Sequence, residues 1–389
     1  MNYLQVPNYK LLVLLFCLFM QNLQAQDNTL KSSKGTLLIM GGNCTNDFFI
    51  SQFAGLVGST LSNIVIIPTA MEDKYIASKS DMDILKKPFF DIGFKNINIV
   101  HTREINTANS DSLNNILLSA DGVWITGGRQ WRLAKAYNET KIQTSLKTLL
   151  NQGKVIAGTS AGASIMADVL IRGDSLDSTI LLGDYQTGFG FISNCAIDQH
   201  HIARNRQFDM FEIKSKKPNI LGLGIDENTG IIVNQNKFRV IGDSYVTIYD
   251  NTRWSEEKDT IYQLQKQDKQ FYTLSNGYEY DLTTRKMITK YDREIGVSNQ
   301  VLIEKITGTY QQTESLKYNQ DLRIEVILED NELYFEQSWN GAKYKIEYHY
   351  LTTFFRPNSI SAYHFNMDSQ GIINSFTFFQ YGSSNWVRL

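Results

Sequence analysis

The stretch from Lys154 to Met166 constrains this chain most, because it holds a strand, a sharp turn and a helix start with nothing between them. Val155, Ile156 and Ala157 read as a short buried strand, and Ala161 through Met166 are small and apolar enough to begin a helix directly above it. Between them stands Gly158-Thr159-Ser160-Ala161-Gly162, a G-x-S-x-G segment. Its glycines suit a turn in which backbone passes close on both sides of the serine, leaving the hydroxyl exposed at a helix N-terminus. There the free N–H groups and the positive end of the helix dipole can stabilise a developing anion. A segment of this composition also serves as a plain flexible turn, but a strand before it and a helix after it favour a nucleophile elbow.

The surrounding sequence repeats the strand–helix alternation. Buried strands are expected at Thr36–Met40, Asn63–Ala70, Asn96–Val100 and Asp121–Thr126, with helices at Phe48–Leu61, Met82–Phe90, Ser112–Leu118, Gln130–Tyr137 and Lys141–Gln152. This predicts an α/β fold, a mostly parallel sheet with helices on both faces. Ligands bind such sheets beyond the carboxyl ends of the strands, where Gly41-Gly42, Thr69, Gly127-Gly128 and Ser160 fall. After Asp226-Glu227 the pattern changes to strands with short turns, including a hairpin-like pair around Ser275-Asn276-Gly277. Beyond a polar stretch near Tyr291–Gln300, an antiparallel series with turns at Asn340-Gly341 and Gln370-Gly371 predicts a small β-barrel or sandwich.

Three segments follow. Residues 1–25, with Lys10 before the apolar run Leu11–Met20 and then Leu23-Gln24-Ala25, read as a signal peptide, which predicts a secreted or periplasmic protein starting at Gln26. Residues 26–291 form the α/β domain and residues 300–389 the antiparallel β domain. The formal net charge of −2 gives no reason to expect nucleic acid or an anionic membrane as partner. A homodimer is left open as the assembly. The mature chain keeps Cys44 and Cys195, a pair that an oxidising compartment allows to form a disulfide.

A serine hydroxyl needs a base within hydrogen-bond reach, usually a histidine held by an acid. The chain has 5 histidines. His101 follows an early strand, and His349 and His364 lie in the late β region. His200 and His201 come soon after the elbow, where a strand ending near His200 could return the ring beside Ser160. Adjacent histidines on a strand diverge, so they are poorly placed to chelate one metal. No cofactor or metal is implied. Acids between Ser160 and His200 include Asp174 and Asp177, whereas Asp226 and Glu227, in a turn between strands, are expected to bond backbone amides.

Gly158-Thr-Ser-Ala-Gly-Ala163, Asp198-Gln199-His200 followed by Arg204 and Arg206, Thr126-Gly127-Gly128 with Gln130, and Gly224-Ile225-Asp226-Glu227 together resemble the cyanophycinase group of the S51 serine peptidases. The resemblance covers residues 35 to about 290. It implies a class I glutamine-amidotransferase-like fold and a peptidase that cleaves aspartyl or β-aspartyl bonds in an acidic peptide or aspartyl polymer. Carried over, Ser160 is the nucleophile and His200 the base, with Asp177 the first choice for the third member and Asp174 the second. The N–H groups of Gly128 and Ala161 would form the oxyanion hole, and Gln130, Gln199, Arg204 and Arg206 would hold the substrate. The C-terminal segment resembles the lipocalin-like β domains appended to secreted hydrolases.

Three departures bear on the substrate. Arg129 stands where the family usually has an acid, Asp209 falls near the place of an expected third arginine, and His201 replaces a residue that is usually aromatic. The reversed charge at Arg129 predicts an α- or isoaspartyl substrate without an arginine branch. Two other readings share the fold: a catalytically silent binding protein, and a general esterase. Glutamine amidotransferases use cysteine at the elbow, which Ser160 argues against.

Overall fold

The computed structural model describes residues 34–389 apart from 45–46, 174–178, 256–257, 266–267, 289–299, 314–321, 331, 351–352, 357–358, 360, 368–371 and 381. The segment expected to be a signal peptide, the stretch 291–299, the turn at 370–371 and both Asp174 and Asp177 therefore lie outside the described residues.

A nine-stranded sheet forms the centre. Thr36–Met40, Val155–Thr159, Gly122–Ile125, Asn63–Ile67 and Asn96–Ile99 lie side by side and run parallel. These are the expected strands; all but the edge strand Asn96–Ile99, where asparagine alternates with isoleucine, are the mostly apolar runs that a sheet covered on both faces requires. On the other side of Thr36–Met40 the sheet continues antiparallel through Thr229–Asn234, Lys237–Gly242, Glu279–Asp281 and Lys286–Met287. The first helix, Asp47–Val57, buries Phe49, Ile50, Phe53 and Ala54. Phe53 and Phe89 meet Trp124 edge-to-face at 5.4 and 5.2 Å, which anchors this helix and Lys79–Ile92 to the sheet.

A second sheet, in the order Tyr272–Leu274, Val246–Tyr249, Leu221–Ile225, Ile192–Gln199 and Ala167–Val169, was not anticipated as separate. In it Ile192–Gln199 and Leu221–Ile225 run parallel, with Gln199 beside Ile225, so the segments that follow both strands leave the sheet at one edge. The turn Ser275–Gly277 does not close a hairpin. Tyr272–Leu274 pairs with the second sheet and Glu279–Asp281 with the first, so this turn passes the chain between sheets.

Eight antiparallel strands from Gly308–Gln312 to Gly382–Arg388 close a barrel in sequence order. Strand alternation turns Tyr310, Phe335, Phe365, Phe376 and Trp386 into one buried cluster, with Phe376 stacked on Trp386 at 5.6 Å. The barrel interior is thus filled by side chains. Ala362 and Phe379 join the same apolar cluster as Phe49 and Phe53, and Thr60 and Ser383 share a 2.8 Å hydroxyl hydrogen bond beside it. The barrel is seated on the outer helices of the α/β part.

Candidate active site

Ser160 follows strand Val155–Thr159 and caps the short helix Ala161–Ser164. Its backbone has φ 54° and ψ −113°, a conformation that costs a non-glycine residue on the order of 1–3 kcal/mol. The flanking glycines explain how the turn is accommodated. A Cβ on Gly158 would lie 2.3 Å from the Gly162 carbonyl oxygen, and one on Gly162 would lie 2.3 Å from that of Ile125. The Ser160 N–H is held by the Met40 carbonyl at 2.9 Å. This is the elbow geometry expected from the sequence.

The strand Ile192–Gln199 ends one residue before His200, which takes φ 55° and donates its backbone N–H to Gly41 at 3.0 Å. Its ring lies against Gly42, where a Cβ would stand 2.2 Å from Cε1. The result is a 3.0 Å contact between His200 Nε2 and Ser160 Oγ. On the far side of the ring, Nδ1 lies 2.6 Å from Glu227 Oε1. The carboxylate can only accept, so Nδ1 carries the proton and Nε2 presents its lone pair to the serine hydroxyl. Burial draws the imidazole below the ordinary histidine range; Arg204 and Arg206 act in the same direction, and Glu227 opposes them.

Glu227 therefore occupies the place that the sequence reading gave to Asp177 or Asp174. Asp226 instead accepts the N–H groups of Ile202 and Ala203 at 3.0 and 2.8 Å and the Ser244 hydroxyl at 2.6 Å. The expectation of backbone bonding holds for Asp226 and fails for its neighbour. The other histidines serve elsewhere: His101 Nδ1 meets the Thr69 hydroxyl at 2.8 Å, and the His364 ring lies in the barrel strand Ala362–Met367. The side chain of His349 lies outside those described.

A cavity of about 390 Å³ opens over Ser160, walled by Gly128, Arg129, Gln130, Gln199 and Arg204 among others. Its size suits a small ligand. Neither the Gly128 nor the Ala161 N–H bonds another backbone carbonyl among the described residues. The Gln199 amide lies 3.3 Å from Ser160 Oγ. Gln130 is buried, its amide nitrogen donating to the Ile171 carbonyl at 2.7 Å, which fixes the side chain.

Arg206 is 2% exposed and sits 3.2 Å from Asp198. Asp198 also meets His201 Nδ1 at 2.7 Å, and His201 Nε2 meets the Tyr249 hydroxyl at 2.8 Å. That hydroxyl also donates to the Gln207 carbonyl at 2.5 Å. The histidine at position 201 thus belongs to a buried polar row that holds Asp198 and, through it, Arg206. Asp209 accepts the Ile180 N–H at 3.2 Å. Cys44 and Cys195 are both buried free thiols and form no disulfide. The Cys44 thiol is pushed up to about 12 by burial and donates to the Gly42 carbonyl at 2.9 Å.

Sequence reasoning passed over Trp131 and Arg172, which also wall this cavity. Trp131 follows Gln130 in the first turn of its helix, and helix starts after parallel strands face ligands.

A parallel sheet carrying a strained serine at a strand-to-helix turn, with an imidazole and then a carboxylate behind it, has the arrangement of a serine hydrolase. The chain belongs to peptidase family S51, whose profile matches residues 37–241. It is 30% identical over 243 residues to a cyanophycinase of Trichormus variabilis, covering 60% of this chain and 80% of that one. A peptidase E of Nostoc sp. is 22% identical over 219 residues, 54% of this chain and 84% of the relative. Among solved structures, a peptidase from an acI-B1 Actinobacterium aligns with a TM-score of 0.46 at 18% identity, over 64% of this chain and 96% of that one.

Proposed function

We propose that this S51 peptidase is a secreted exopeptidase that hydrolyses aspartyl or β-aspartyl peptide bonds through an acyl-enzyme on Ser160. The observation that carries the reading is the unbroken line from Ser160 Oγ to His200 Nε2 at 3.0 Å and from His200 Nδ1 to Glu227 at 2.6 Å. Ser160 Oγ passes its proton to Nε2 and bonds to the substrate carbonyl carbon. The oxygen becomes negative between the N–H groups of Gly128 and Ala161. The C–N bond then breaks as the imidazolium returns the proton to the leaving nitrogen, and water repeats the sequence in reverse to release the acid. Glu227 keeps the ring in the tautomer this requires.

Arginines at the cavity supply forked donors for a substrate carboxylate, which favours an acidic residue at the cleaved bond. A relative is named cyanophycinase and another peptidase E, and both names fit that choice. The test is a screen of α- and β-linked aspartyl dipeptides, with Ser160→Ala as control. Release of free aspartate by the wild type and not by the control is expected. Cleavage of neutral peptides in preference to aspartyl ones would reject the substrate class. The secretion reading is checked by sequencing the N-terminus of exported protein, which is expected to begin at Gln26.

A further inference from the structure

Arg129, Arg172, Arg204 and Arg206 all wall the cavity over Ser160, and among the described residues that wall it there is no carboxylate. Only Arg206 has an ion-pair partner among the described residues, the buried Asp198. Arg129, Arg172 and Arg204 thus bring three guanidinium charges into one cavity with no ion-pair partner among the described residues. Burial, then the charge of Arg206, draws Arg204 below the usual arginine range, with Asp198 and Glu227 opposing.

Charge counting then restricts the ligand. An aspartyl dipeptide brings two carboxylates, one on the aspartyl residue and one at its C-terminus. Three guanidinium groups without an ion-pair partner among the described residues suit a third, and the position left for it is the side chain of the residue after the cleaved bond. We propose that Arg129, Arg172 and Arg204 form a receptor for a tri-carboxylate substrate, so that the preferred peptide is aspartyl-aspartate or aspartyl-glutamate, acidic on both sides of the bond cut. The proposal rests on the aspartyl-peptidase reading and narrows it to the leaving residue.

The space for that side chain is present. A second cavity of about 350 Å³ shares Gln130, Trp131 and Arg172 with the first. Arg172 therefore stands between the two, where it can follow a carboxylate from either side. The second cavity also carries the exposed Asp184, so a cationic leaving residue is the competitor to be tested against.

Binding separates this inference from the peptidase reading, because it needs no turnover. Calorimetry on full-length Ser160→Ala with Asp-Glu, Asp-Leu and Asp-Arg, each α- and β-linked, is expected to rank Asp-Glu about tenfold or more above Asp-Leu, with Asp-Arg weakest. Adding Arg129→Glu, at an exposed position before the helix Gln130–Tyr137, should reverse the order of Asp-Glu and Asp-Arg. Arg172→Gln should reduce the preference for Asp-Glu without reversing it. An Asp-Arg affinity equal to or above that of Asp-Glu, or an order unmoved by Arg129→Glu in a protein with unchanged melting temperature, would overturn the proposal. Loss of hydrolysis alone would sink only the peptidase reading.

Discussion

The carboxylate that reaches the imidazole of His200 belongs to Glu227, whose Oε1 lies 2.6 Å from Nδ1 across a separation of 27 residues. Strands Ile192–Gln199 and Leu221–Ile225 run parallel with Gln199 and Ile225 in register, so the residues just past each end arrive together at one edge. That pairing brings His200 and Glu227 together beside Ser160.

Glu227 and Asp226 are therefore expected to separate cleanly on substitution. Glu227→Gln should reduce kcat by about 10²- to 10⁴-fold with little change in melting temperature, since the ring loses the charged, accept-only partner that fixes its tautomer and not its packing. Asp226→Asn should cost roughly 1–3 kcal/mol of stability in urea unfolding, because a buried acceptor of two N–H groups and a hydroxyl is compromised. Full kcat in Glu227→Gln would remove it from the mechanism.

The pH dependence follows from the direction of the His200 shift. Burial, with Arg204 and Arg206 behind it, holds the imidazole below its ordinary value of 6.5, and the base works only when neutral. The acid limb of kcat/KM should accordingly fall below pH 6.5. Arg204→Gln removes a charge that opposes protonation, so its limb should move up; Glu227→Gln removes one that favours protonation, so its limb should move down. Rate profiles of the three proteins check both signs. A wild-type limb above pH 6.5 would contradict the assignment.

Gly42 is the residue whose side chain the site cannot accept. It has φ +140°, and a Cβ there would enter the His200 ring at 2.2 Å. Gly42→Ala should lower kcat by about 10²-fold or more by displacing the base. Gly153→Ala is the matched control. Gly153 also has positive φ, +90°, but its nearest neighbour is 3.9 Å away, so the cost should be about 1 kcal/mol of stability with kcat unchanged.

Much of this was legible in the sequence, and the reason differs by element. The inner parallel strands announce themselves as mostly apolar runs, and Ser160 is marked by glycines that the turn itself demands. His200 could be chosen because a strand leads straight into it. Glu227 was passed over because local chemistry is a good guide for a turn acid, as Asp226 shows, and is silent about which strand lies beside which. The Ser275–Gly277 turn misled for the same reason: a hairpin signal describes the turn and says nothing of a second sheet waiting to take one of the strands. Whether Cys44 and Cys195 pair was left open by the sequence, and both are buried free thiols.

The most direct test of the central claim is covalent. Treatment of the full-length protein with a fluorophosphonate, followed by peptide mapping, should place a single adduct on Ser160, absent in Ser160→Ala and slowed in Glu227→Gln. An adduct on another serine, or hydrolysis of aspartyl peptides that persists undiminished in Ser160→Ala, would contradict it.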